Sequence, residues 1–139
     1  MLDEKAAHMW LRQAASDLES AEVLLKASKY DAACFMAEQS AQKALKAFLL
    51  AHKKRVPFTH SLLYLYQECR GEGLQIEELE PALKHLTRYY VEARYPDAAN
   101  APPVDIFQHH EAENAVNAAR KLLSHIKRLL EQGSGEKQI

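Results

Sequence analysis

Backbone breakers are scarce in this chain: only 4 glycines and 5 prolines occur among 139 residues, and they cluster. Long stretches therefore run without interruption, and no segment alternates polar and apolar residues with a period of two. Both absences argue against a sheet and for an all-α chain. Cysteine is equally sparse. Cys34 and Cys69 form no CxxC or other zinc spacing. Both sit in apolar stretches and read as reduced core thiols; a single Cys34–Cys69 disulfide is the alternative. No apolar run approaches the roughly 18 residues of a membrane span. Met1-Leu2-Asp3-Glu4-Lys5 places no apolar stretch behind a basic start, so no signal peptide is expected. The expected location is cytoplasmic, with no membrane partner. An excess of charge is missing too: Lys plus Arg is 18, Asp plus Glu is 19, and the net charge is -1. A general electrostatic binder of DNA or RNA carries a basic surplus, so a broad nucleic-acid coat is excluded and only a small phosphate-sized patch is left open. Gly-rich phosphate loops, Ser nucleophile elbows and Cys nucleophiles are all lacking.

What remains is helical periodicity. Trp10, Ala14, Leu18, Ala21 and Leu25 step by three and four, which predicts a helix over residues 5–27. A second helix runs from Asp31, as its cap, to about His52. Its buried row is mostly small (Ala33, Ala37, Ala41, Ala44, then Phe48), which lets a neighbouring helix approach closely. A third spans 61–70, before Gly71 and Gly73. A fourth covers 76–93, with Pro81 setting residues 76–80 apart as a separate turn. Pro96, Pro102 and Pro103 mark an irregular loop. The last helix is predicted from Asp105, in a capping box with Gln108, to about Glu131. At 15.8 kDa the chain buries about two-thirds of its surface on folding. The expected architecture is an antiparallel bundle of four to five helices over residues 1–131, with a flexible tail at 132–139.

Four pieces of sequence carry a family resemblance. They are Trp10 with Ala14, Asp17-Leu18 and Ala21-Glu22; the stretch from Tyr30 to Ala47 containing Ala37-Glu38-Gln39-Ser40-Ala41-Gln42-Lys43-Ala44-Leu45-Lys46; Thr59-His60-Ser61-Leu62; and Tyr90 with Arg94-Tyr95-Pro96-Asp97. In that order they resemble the HEPN family, small helical domains of prokaryotes and higher eukaryotes. The resemblance covers about residues 10–126. It implies an up-and-down bundle of about five helices that usually forms a homodimer. It also implies a nucleotide- or RNA-associated module, often paired with a minimal nucleotidyltransferase in toxin–antitoxin-like systems. Some branches of the family are metal-independent ribonucleases carrying an Arg, four to six residues and a His, with a polar Asn, Asp or His just after the Arg.

Several residues fit such chemistry, and each has a structural alternative. Gln39, Lys43 and Lys46 lie at i, i+4 and i+7, so one helix face presents an amide and two ammonium groups suited to phosphate. The alternative is a solvated face paired to Glu38 or Gln42, or a dimer contact. His60 can serve acid–base chemistry or bind phosphate, or can simply enter the third helix and pack on Tyr64. Arg94 can hold phosphate bidentately with Tyr89, Tyr90 or Tyr95 as a stacking surface; alternatively it caps the last carbonyls of its helix. Arg120 and His125 match the ribonuclease spacing. Five residues apart, however, they diverge by about 140° and about 7.5 Å on one helix, so only a dimer could bring one from each subunit together, and Lys121 stands where the active pattern has a polar residue. His109-His110 point to different sides and lack a ligand cluster, so no metal and no cofactor are expected.

The resemblance and these residues together favour a non-catalytic, dimeric nucleotide-associated module. Its groove would comprise Gln39, Lys43, Lys46, His60, Arg94 and Tyr95, and it would work with a nucleotidyltransferase-type partner. A ribonuclease toxin, with Arg120 stabilising the scissile phosphate and His125 as general acid or base, is the enzymatic alternative, and a pure dimerisation scaffold is a third.

Overall fold

A computed structural model describes residues 4–137. Over that span seven helices follow one another: α1 (Glu4–Lys26), α2 (Tyr30–Ala51), α3 (Leu62–Arg70), α4 (Glu80–Glu92), α5 (Pro96–Ala99), α6 (Pro103–Ile106) and α7 (His109–Lys137). A 3-10 turn, Glu77–Leu79, leads into α4. The described residues include no strand, and none of their helices is long and apolar enough to cross a membrane.

The centre of the bundle is α2. Its alanines Ala33, Ala37, Ala41 and Ala44 are fully buried. Without side-chain bulk there, α1 and α7 both lie close against it, and the three pack more extensively together than any other elements. Ser40 extends this close approach: its hydroxyl donates to the Ala14 carbonyl of α1 at 2.7 Å. On the other side, α3 and α4 pack on α2 and on each other. Tyr66 of α3 is fully buried, and its hydroxyl accepts the Ile76 backbone N–H at 3.2 Å. Both cysteines are buried free thiols. Burial pushes Cys34 up to about 12 and also raises Cys69, whose Sγ donates to the Leu45 carbonyl, so both are unreactive thiols of the core.

The ends of α1 and α2 close without glycine. Ser28 (φ 61°) and Lys53 (φ 56°) occupy the left-handed region. The following amides, Lys29 and Lys54, bond back to Leu24 and Leu49 at 2.9 Å, which turns the chain sharply. Asp31 is not the cap of α2: Lys29 holds that position without a side-chain bond, and Asp31 lies in the first turn. Pro81 falls in the first turn of α4, where its missing N–H costs nothing, so the helix begins there instead of kinking.

The expected irregular loop holds two single-turn helices, each opened by a proline. The last long helix starts at His109 rather than Asp105. Phe107 is extended (φ -80°, ψ 133°) because its ring turns into the core, edge-on to Tyr89 at 5.3 Å. The capping box shifts accordingly: the Gln108 N–H donates to the Glu111 carboxylate at 3.2 Å. At its other end α7 runs past Glu131, to Lys137. Glycine weakens a helix but does not bar it as proline does. Residues 138–139 of the expected tail lie outside the described residues.

Candidate functional site

The α2 helix carries two polar stripes. Glu38, Gln42 and Lys46, each four residues on, point toward the α2–α3 connection and the end of α4. Gln39 and Lys43 lie beside them.

Lys43 forms a partly buried ion pair with Asp17 of α1, and Gln13 donates to the same carboxylate at 2.9 Å. Gln39 donates to Glu38 at 2.8 Å. Gln39, Lys43 and Lys46 therefore take three different partners, Glu38, Asp17 and Gln42.

Glu38 is the fully enclosed member of the cluster, with no exposed surface. Gln42 donates to its second oxygen at 3.0 Å. Burial drives the Glu38 carboxyl up to about 7, against the opposing pull of the Gln39 and Gln42 amides, Lys46 and Arg94. The oxygen of Gln42 in turn accepts from Lys46 at 2.9 Å and meets Nδ1 of His60 at 3.3 Å. Lys46 lies 5.9 Å from the Trp10 ring centroid, and burial lowers the pKa of its ammonium.

His60 is fixed from its backbone outward. Thr87 of α4 donates to the His60 carbonyl at 3.4 Å and accepts from the Leu62 N–H at 3.0 Å, tying the connection to α4. Ser61 caps α3 by accepting from the Tyr64 N–H. The imidazole stacks on Tyr90, centroid to centroid 3.9 Å and 15° from parallel, rather than on Tyr64. Partial burial, then Lys46 and Arg94, lower its pKa.

Arg94 caps its helix and lies among aromatic rings. Its Nε donates to the Tyr90 carbonyl at 2.7 Å, closing the end of α4, while its guanidinium lies over the rings of Tyr90 (4.4 Å), Tyr95 (4.7 Å) and Phe35 (4.8 Å). Tyr89 points the other way, into the core, where burial raises its hydroxyl to about 12.

The structure thus gathers Lys46, His60, Arg94, Tyr90 and Tyr95 at one open patch. Two cations, exposed aromatic surface and an imidazole can together bind a phosphate and a flat ring. The residues behind the patch carry no such signal in the sequence. Glu38 and Gln42 flank an alanine row, where a carboxylate and an amide read as surface residues until α2 is known to be central. Trp10 and Phe35 escape a site assignment for the same reason.

Within one chain Arg120 and His125 are not brought together. Arg120 bonds Asn117 at 2.6 Å and reaches Glu22 at 3.6 Å, whereas Nδ1 of His125 lies 3.2 Å from Arg128. A separate cleft of about 670 Å³ opens between α4 and α7, lined by His85, Arg88, His110, Asn114 and Lys121 among others. Neither Arg120 nor His125 nor any residue of the Lys46–Arg94 patch lines it. His109 packs edge-on to Tyr30 at 5.4 Å, and among the described residues no group of three or more His, Cys, Asp or Glu is placed to hold a metal.

The HEPN domain model matches residues 7–129. The crystal structure of TT1696 from Thermus thermophilus superimposes with a TM-score of 0.82 at 36% identity, over 88% of this chain and 97% of that one. ST0689, an archaeal HEPN homologue, gives 0.75 at 26% identity over 90% and 98%. A HEPN domain protein of Thermotoga maritima gives 0.69 at 26% identity over 89% and 98%. The "Putative toxin MJ1304" of Methanocaldococcus jannaschii is 28% identical over 144 aligned positions, covering 97% of this chain and 95% of that protein. With the helical architecture and the matched stretch running from α1 nearly to the end of α7, this chain belongs to the HEPN family.

Proposed function

We propose that this HEPN chain is the nucleotide-associated member of a toxin–antitoxin-like pair. In this reading it is a homodimer without catalytic activity of its own and works with a minimal nucleotidyltransferase-type partner. The observation that carries the reading is the convergence of Lys46, His60 and Arg94 with the rings of Tyr90 and Tyr95 on one patch. The two cations supply phosphate contacts, and the half-exposed Tyr95 ring supplies a sequence-tolerant stacking surface, Tyr90 being covered by His60 and Arg94. The relative named as a toxin supports the toxin–antitoxin setting. Within one chain Arg120 and His125 take separate neighbours, so a ribonuclease site would need one of them from each subunit.

Thermal unfolding with and without AMP, GMP, CMP and UMP tests the reading. A ligand at 100 times its Kd stabilises by about 2.7 kcal/mol. We expect stabilisation by at least one mononucleotide, and its loss in Arg94→Ala with Lys46→Ala. No stabilisation, together with EDTA-resistant RNA cleavage abolished by His125→Ala, would establish the ribonuclease reading instead. Absence of both responses leaves a dimerisation scaffold.

A further inference from the structure

We infer that Glu38 is a positioning residue that, through Gln42, holds the His60 imidazole as its Nδ1–H tautomer and leaves Nε2 as a hydrogen-bond acceptor. Above its titration at about 7 the Glu38 carboxyl is ionised and only accepts, and both its oxygens are taken by amide nitrogens, Gln39 at 2.8 Å and Gln42 at 3.0 Å. Glu38 is fully enclosed, so no solvent competes for those oxygens. The Gln42 amide therefore cannot turn round. Its nitrogen is committed to Glu38, and its oxygen faces outward.

Lys46 enforces the same orientation, because its ammonium, 2.9 Å away, tolerates only an acceptor. The oxygen that Lys46 touches is also 3.3 Å from His60 Nδ1. An acceptor opposite a ring nitrogen requires that nitrogen to carry the hydrogen. Burial, with Lys46 and Arg94 near the ring, disfavours a second proton, so the imidazole is neutral at pH 7 and above. Its Nε2 then bears a lone pair and makes no hydrogen bond to the described residues.

This orientation divides the labour at the patch. A neutral imidazole whose free nitrogen is an acceptor cannot donate to a phosphate oxygen. Phosphate contacts fall to Lys46 and Arg94, and His60 receives a donor from the ligand, a sugar hydroxyl or a base amino group. The ligand statement rests on the nucleotide reading above; the tautomer does not.

Long-range ¹H–¹⁵N correlation spectra of the full-length ¹⁵N-labelled protein at pH 8 report the tautomer directly, with the His60 signals assigned by their loss in His60→Asn. We expect a protonated Nδ1 and an unprotonated Nε2 in the wild-type protein. Gln42→Met removes the acceptor, and Glu38→Met releases the Gln42 amide; both should move His60 toward the Nε2–H form. Glu38→Gln should rescue the wild-type pattern, because its oxygen still accepts from Gln42 while the partly exposed Gln39 turns to suit the new amide. A Glu38 that merely supported the fold would change stability and leave the His60 nitrogens where they were. An Nε2–H signal in the wild type, or retention of Nδ1–H in Gln42→Met, would overturn the inference. Should a methionine variant fail to fold, the wild-type spectrum decides alone. Titration with AMP should then shift His60 Nε2, while inorganic phosphate should not. A correct tautomer with no response to AMP, GMP, CMP or UMP refutes the nucleotide reading and leaves the positioning role of Glu38 intact.

Discussion

Replacing Lys43 by methionine separates a structural lysine from a ligand-binding one. The Asp17 side chain is 6% exposed and that of Lys43 26%. In Lys43→Met the carboxylate keeps its bond from Gln13 at 2.9 Å but loses the ammonium paired with it. Breaking a fully buried pair from one side costs about 3–5 kcal/mol. Here a quarter of the lysine side chain reaches water, which screens the stranded charge and reduces the expected cost to about 2 kcal/mol. For a chain of this size that corresponds to a fall in Tm of about 6–8 °C. Urea denaturation and calorimetry at pH 7 measure both quantities. Asp17→Asn should cost less, about 1 kcal/mol, because its amide oxygen still accepts from Gln13 and the released ammonium can reach solvent. The double variant should then show a coupling of about 1 kcal/mol between the two sites. Nucleotide-induced stabilisation should survive in Lys43→Met and weaken in Lys46→Met. If Lys43→Met melts within about 1 °C of wild type and loses the nucleotide response, the assignment of Lys43 to the fold is wrong.

Two further outcomes follow from buried polar groups. Tyr66→Phe leaves the Ile76 N–H without its acceptor in the core, which should cost about 1–3 kcal/mol in urea denaturation; a change below about 0.5 kcal/mol would mean that the amide finds another partner. Glu38 titrates at about 7 in the folded protein, raised from 4.5. The native state therefore keeps a proton that the unfolded chain has already released, and stability falls as pH rises through that window, by about 3 kcal/mol in all. Glu38→Gln should lack that fall, so its stability relative to wild type should improve between pH 4 and pH 8. Parallel pH curves for the two proteins would refute the burial argument.

The helices are legible where one side of the chain faces solvent. The stripes at Trp10–Leu25 and Ala112–Leu130 place α1 and α7 along most of their length, because amphipathic helices advertise their inner face. The start of α7 departs from the expected Asp105 because local capping chemistry there competes with a tertiary demand, the insertion of Phe107 against Tyr89. The site is legible in part. His60 and Arg94 stand out in a family motif, but their meeting depends on Tyr90, whose ring stacks with one and lies beneath the guanidinium of the other. Glu38 and Gln42 are hidden for a different reason. On a helix packed on several sides, polar residues that are buried look like ordinary surface ones until their neighbours are known.

The placement of the patch has a consequence for how the protein opens. Gln42 and Lys46 belong to the α1–α2–α7 core, while His60 and Arg94 arrive with the connection to α3 and the end of α4. The patch is a seam, and it exists only while α4 is docked. An excursion that lifts α3 and α4 from α2 erases the site yet leaves the three long helices together. Amides in α3 and α4 should accordingly exchange with deuterium before those in the middle of α2. A molecule bound across the seam would slow exchange in α3 and α4 selectively, acting as a clasp between two parts of the fold.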